Sequence, residues 1–436
     1  MRVELLIFIL IESIFCKNTK QRLMTLLKTN LKFYDQWIHL VEQQHRQKHQ
    51  QNITTALKQI NHTMMNCTSS WGMHMDHVDN VRPADIQLYA ELGQLTRYCE
   101  DSILKLITGE LDSCQHASYT SPWPSIVKLL MNFNRNMTVI ESSHDKQLEN
   151  QTEYLVQKFI KHKNWRNKWK MIVIMPSMED GEPKEPEQSA VKVMKSIKRL
   201  YEVVPYRTVL IVVRSSSLQL WRDASNAHRA CQTLLQPWKL YEKLNPVSVW
   251  DQIEKICDLY FQNSHFTVQI LPLLKNSSLA YLTGTKEIDL SLLGHDCVHF
   301  SPHGLSLLHV ATWNALFTKS PDRSQNFDFS QSKPQCADPI CPFIRTSKNS
   351  AFCVWNPSKM SGESHRSEQL IAISVLLVAT ILFVVIISAI FYLRKRYHKF
   401  DEISPKLPVK PPVGINWTSW KYIDDDNSVN SICYKL

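Results

Sequence analysis

Two residues near the C-terminal third of the chain have the types and spacing to move a proton. Asp296 and His299 stand three apart in Asp296-Cys297-Val298-His299, with Gly304 following. A carboxylate at that distance can fix the tautomer of an imidazole, and the imidazole can then take a proton from a nucleophile. A spacing of three lets both side chains point into one site from a loop or a first helical turn. The pattern alone is short, and a loop-capping aspartate beside a surface histidine has the same spelling. No metal site accompanies it. His45 and His49 are four apart without a carboxylate or third ligand, which reads as a solvated helical face. Cys336 and Cys341 lie in a Pro-rich stretch, where a disulfide is the better reading than zinc. No GxGxxG or GxxxxGK[ST] occurs, and nine glycines in 436 residues leave few free choices for phosphate-cradling loops. No cofactor is expected.

Such a pair needs a rigid frame, and the chain supplies one. Short apolar, partly β-branched runs at 86–92, 171–175, 209–213 and 266–271 read as buried parallel strands. Helical stretches at 149–162 and 189–203 alternate with them. The alternation predicts an α/β fold with a doubly wound parallel sheet, and ligands outside the carboxyl ends of the strands. The polar segment 181–188 reads as a loop on that edge. Residues 17–80 are expected as an N-terminal helical extension, 81–321 as the main domain, and the Ser-, Pro- and Cys-rich 322–369 as a disulfide-stapled stalk.

The ends set the compartment. Residues 5–15 are apolar behind Arg2, too short to span a bilayer but suited to a signal peptide ending near residue 16. Glu12 inside the run leaves an uncleaved anchor as the alternative. Residues 370–393 hold no charge and reach about 36 Å as a helix, enough to span. Arg394-Lys395-Arg396 follow, so the tail 394–436 is expected in the cytoplasm and the rest outside, a single-pass type I arrangement at the plasma membrane. Sequons at Asn52, Asn61, Asn66, Asn136, Asn150 and Asn276 then predict a glycosylated surface. Setting aside Cys16 and Cys433, nine cysteines remain, so at least one is free or intermolecular. In the tail, Pro405-Lys406-Leu407-Pro408 and Pro408-Val409-Lys410-Pro411 suit an SH3-type partner. The net charge of +10 comes with no nucleic-acid motif, so no nucleic-acid partner is expected.

Several ordered segments resemble one family. Arg82-Pro83-Ala84-Asp85-Ile86, Asn132-Phe133-Asn134-Arg135-Asn136-Met137-Thr138, Asp296-Cys297-Val298-His299-Phe300-Ser301, Thr312-Trp313-Asn314-Ala315-Leu316 and Cys341-Pro342-Phe343-Ile344-Arg345-Thr346 are similar to blocks of membrane-associated phospholipase B, a branch of the GDSL or SGNH hydrolases. The resemblance covers about residues 80–350. It implies a three-layer α/β/α sandwich, phospholipid or lysophospholipid substrates, and ester hydrolysis by a Ser–Asp–His triad with a Gly and an Asn in the oxyanion hole. Asp296 and His299 match the late dyad. The nucleophile block does not match: the family's GDSLT falls on Gly93-Gln94-Leu95-Thr96, one residue short, with no serine near Gln94 or Leu95. The oxyanion positions fall at Ser142 and at Ser177-Met178-Glu179-Asp180, where Glu179 replaces an amide donor by a carboxylate. Rescue by Thr96 or Cys99 is disfavoured. The expectation is a pseudoenzyme with a phospholipase B-like ectodomain, the alternative an active hydrolase with a non-standard nucleophile.

Overall fold

Alternation of side chains across each strand builds the core. The computed structural model describes residues 19–50, 67, 76–98, 115–116, 123–143, 147–177, 187–215, 219–238, 247–282, 284–327, 329, 333–353 and 364–401. Five strands form one sheet: β1 (Ile86–Leu92), β2 (Thr138–Val139), β3 (Trp169–Ile174), β4 (Thr208–Val213) and β5 (Phe266–Leu271). Their order is β2-β1-β3-β4-β5, and every neighbouring pair is parallel. This is a doubly wound order, whose topological switch point lies between β1 and β3.

Helices cover both faces. On one face Trp169, Met171 and Val173 of β3 and Val209, Ile211 and Val213 of β4 share a core with α1 (Thr19–Thr29), α2 (Leu31–Gln50), α3 (Ile126–Phe133), α6 (Gln219–Ala227), α7 (Arg229–Leu234) and α9 (Pro302–Phe317). On the other face Ile172, Ile174, Leu210 and Val212 pack with α4 (Leu148–Lys161), α5 (Glu187–Val203) and α8 (Val247–Tyr260). Period-two alternation inside strands that are buried throughout is what a sheet covered on both faces requires. The four expected strands and both expected helices lie where their apolar runs place them; β3 begins at Trp169 and α5 at Glu187, so the segment 181–188 ends as helix. The two-residue edge strand β2 carries no periodicity and was not expected from sequence.

Two boundaries differ from the sequence reading. The N-terminal helices are an integral layer, not an appendage: Leu23, Phe33, Trp37 and Leu40 are buried in the first core. Gln44 donates to the carbonyls of Leu290, Leu293 and Gly294 at 3.1–3.2 Å. The first part of the expected stalk also belongs to the domain. Phe327, Phe329 and Ile344 are buried in that same core. Ile344 donates its amide to Val81 and Arg345 to Leu316, both at 2.8 Å. Disulfides Cys67–Cys336 and Cys341–Cys353 pin the segment, which ends in the short α10 (Ser347–Ala351). Its apolar residues are too sparse to show a period, so only the tertiary packing reveals them. Separately, α11 (Ser364–Asp401) contains Ser374–Arg394, with a mean hydropathy of 3.0, long and apolar enough to cross a membrane.

Candidate active site

The helix α9 anchors the loop that bears the dyad. Ser301 caps it, its hydroxyl accepting from the Gly304 amide at 3.2 Å, and Pro302 opens its first turn. Nearly every side chain of α9 is buried, as a helix apolar on all sides demands. Gly304 is obligatory here: a Cβ would lie 2.1 Å from the Leu292 carbonyl oxygen. Upstream, the Gly294 amide donates to the His299 carbonyl at 2.8 Å, closing a tight loop around Asp296. Cys297 adopts a positive φ of 61° inside it, and a disulfide to Cys231 of α7 holds that conformation. The indoles of Trp37 and Trp221 donate to the carbonyls of His295 and Val298, both at 3.1 Å.

Within this frame Asp296 and His299 are both buried, and His299 Nδ1 lies 2.6 Å from Asp296 Oδ2. The other carboxylate oxygen accepts the amides of Val298 and His299, each at 3.0 Å. Burial pushes the Asp296 pKa up, but the imidazole and the two amides outweigh it, and the net shift is downward. The aspartate therefore stays charged, as an imidazole-orienting group must. The sequence-predicted pair is assembled as a dyad, and its loop touches α6, which follows β4, on the carboxyl edge of the sheet.

The turn after β1 lies on the same edge. Gly93 has φ +98°, and a Cβ there would meet the Met175 carbonyl oxygen at 2.3 Å. Its amide donates to Gln151 Oε1 at 2.9 Å, and the Leu95 amide donates to the Met175 carbonyl at 3.0 Å. The glycine thus lets the β1 turn lie against the end of β3, at the switch point. Gln94, Leu95 and Thr96 are buried. The Thr96 hydroxyl donates to the Gly93 carbonyl at 2.8 Å, which turns it toward its own backbone. Ser177, beyond β3, and Ser142, beyond β2, are buried on that edge, and the guanidinium of Arg97 reaches the Ser143 carbonyl. Glu179 and Cys99 lie outside the described residues, as do Cys114, the sequons at Asn52, Asn61 and Asn66, the segment 1–18 and the tail beyond 401. Asn136, Asn150 and Asn276 are exposed, as are His45 and His49. The free, buried cysteine among the described residues is Cys257, whose thiol burial pushes up to about 12.

A second buried polar group went unread in the sequence. Glu91 points from β1 into the first core, where its carboxyl accepts the Tyr89 hydroxyl and lies 4.0 Å from Nδ1 of His309 on α9. Burial raises Glu91 to about 8 and lowers His309 to about 3, so both are neutral at pH 7. The signal was available: an acidic residue inside an apolar, fully buried strand must be paired or neutral.

Comparison with known proteins supports a phospholipase B-like relationship. The chain is similar to human membrane-associated phospholipase B1, 30% identical over 115 residues. It is 29% identical to the rat protein over 113 residues and 27% identical to the mouse protein over 115. Each match covers 26% of this chain and 7% of the relative's length. The relationship is therefore to a phospholipase B1-like stretch, a small part of those proteins. No family model matches the chain, and no solved structure matches it.

Proposed function

We propose that the chain is a membrane-anchored, phospholipase B-like pseudoenzyme that binds a phospholipid, lysophospholipid or partner without cleaving it. One observation carries this reading: the dyad Asp296/His299 is built and buried, yet the β1 turn offers Leu95 and a backbone-bonded Thr96 where a nucleophilic serine belongs. A hydroxyl must stand about 2.6–3.2 Å from the imidazole to be activated. Loss of the nucleophile leaves only residual catalysis, and loss of one oxyanion donor removes about 10²–10³ in rate. Glu179 in place of the family's amide donor supports the same conclusion. The GDSL/SGNH assignment belongs to this proposal. So do the signal peptide at 1–16, the glycosylated exterior, the type I orientation at the plasma membrane and an SH3-type partner for the Pro-rich tail.

A second reading is an active hydrolase with an unconventional nucleophile. It is favoured by the retained charge of Asp296 and by the hydroxyls of Ser142 and Ser177 on the same sheet edge. A fluorophosphonate probe separates the two. Covalent labelling of the purified full chain, lost in His299→Ala, supports the hydrolase; no labelling together with retained lipid binding supports the pseudoenzyme.

A further inference from the structure

We propose that the last turn of α4 and the loop leading into β3 form a binding surface for a sulfated polysaccharide. Residues 154–178 hold six Lys or Arg and no Asp or Glu. Lys158, Lys161, Lys163 and Arg166 are exposed, and Lys168 is half-buried. None of these five has a carboxylate partner among the described residues. The cations around them do: Arg199 pairs with Glu153 at 2.8 Å and Arg207 with Asp76 at 2.6 Å. Cations in the last turn of a helix offset its dipole, which accounts for Lys158 and Lys161. It does not account for the three beyond the helix end, and like charges gathered without counter-charges repel one another.

The surface is held from beneath. Trp165 is buried in the second core, and the Arg166 guanidinium lies 5.2 Å from its ring. Lys170 of β3 donates its ammonium to the carbonyls of Trp165 and Lys168, both at 2.6 Å. Arg207 donates to the Asn167 carbonyl at 2.8 Å, and Asn164 turns the chain after α4 with a φ of 57°. Burial and the nearby Arg207 lower Lys170 to about 7, a shift that a polyanion laid across the loop would oppose. The occupant follows from charge and from what else the segment 158–170 presents. Phe159, Trp165 and Trp169 are buried, and Ile160 is the one bulky apolar residue of the segment about half-exposed. Peripheral bilayer binders insert several exposed Trp, Phe or Leu side chains, and single-strand binders stack bases on exposed rings. Here there is a ridge of cations, and Lys/Arg-rich runs of this kind suit linear polyanions. The choice of a polysaccharide rests on the reading above that the domain lies outside the cell. The loop precedes β3, so this surface is at the amino edge of the sheet, opposite the dyad.

The test uses the full chain in neutral detergent and heparin as the probe, at an ionic strength of ~0.15 M. Binding is compared between the wild type, the triple variant Lys161→Gln, Lys163→Gln, Arg166→Gln, and a triple of equal charge loss on α1 and α2, Lys28→Gln, Lys32→Gln, Arg46→Gln. The first triple should weaken binding roughly tenfold, the sum of three exposed ion pairs, and the second should leave it within about twofold. A second measurement needs no variant: heparin should protect Lys161 and Lys163 of the wild type from amine acylation, and leave Lys28 and Lys32 reactive. No binding at this ionic strength, equal weakening by the two triples, or no protection of Lys161 and Lys163 would overturn the proposal. Tighter binding to phosphatidylserine vesicles or to a single-stranded oligonucleotide than to heparin, lost in the first triple, would overturn the polysaccharide in favour of that partner. Trypsin applied to intact cells that express the chain reads the orientation separately: a protected domain would overturn the outside reading, whatever heparin does.

Discussion

Replacing Asp296 by asparagine tests whether the dyad is a built electrostatic unit. The carboxylate accepts three bonds, one from His299 Nδ1 at 2.6 Å and two from backbone amides at 3.0 Å. Hydrogen bonds to charged groups contribute about 1.5–3 kcal/mol each, neutral ones about 0.5–1.5. Asparagine keeps the shape and can still bond the other tautomer of His299, so the loss is the charge assistance: about 1 kcal/mol per bond, or roughly 3 kcal/mol in all. Asp296→Ala leaves the donors unpaired in a buried site and should cost about 3–5 kcal/mol. Denaturant unfolding followed by tryptophan fluorescence reads this, because Trp221 donates to the Val298 carbonyl beside the dyad. The sign with pH is fixed. The native pKa of Asp296 lies below the ordinary 3.8, so its contribution is fully present above that value. It is lost as pH falls through the depressed native value. An Asp296→Asn variant within ~0.5 kcal/mol of the wild type at neutral pH would refute the reasoning, since that is the range of an inert surface change.

Three further outcomes follow from the same geometry. Gly93→Ala places a Cβ 2.3 Å from the Met175 carbonyl at a φ of +98°, and should destabilise by more than about 1–2 kcal/mol in a thermal melt. Glu91→Gln should flatten the stability profile between about pH 4.5 and 8. Glu91 is raised to about 8 in the fold, so the wild type loses stability as pH rises from the ordinary glutamate value of 4.5 to about 8, by an amount on the order of a few kcal/mol that the amide does not lose. Removing the Cys231–Cys297 bridge with a Cys231→Ser and Cys297→Ser pair opens a loop of sequence separation 66, and should cost about 4 kcal/mol in denaturant titration.

The strands were legible because each is a buried apolar run flanked by a helix, and a parallel sheet covered on both faces has that spelling. The dyad was legible because its partners are three residues apart, so local backbone alone can bring them together. What the sequence could not show depends on long-range partners. Trp37 and Gln44 read as one face of an amphipathic helix, but only the fold places them against His295 and Gly294. Phe327 and Phe329 sit in a polar, Pro-rich segment, and their burial depends on a core formed elsewhere in the chain. The Cys231–Cys297 pairing has no local signature. Likewise, Glu91 meets His309 across two elements 218 positions apart, and no periodicity announces such a contact.

The most direct test of the pseudoenzyme claim is hydrolysis of lysophosphatidylcholine and a p-nitrophenyl acyl ester by the full chain beside His299→Ala. The account predicts equal, background rates for the two proteins. A wild-type rate well above that of His299→Ala would contradict it and would mean that another hydroxyl, with Ser142 and Ser177 the first to examine, has taken the place of the missing serine.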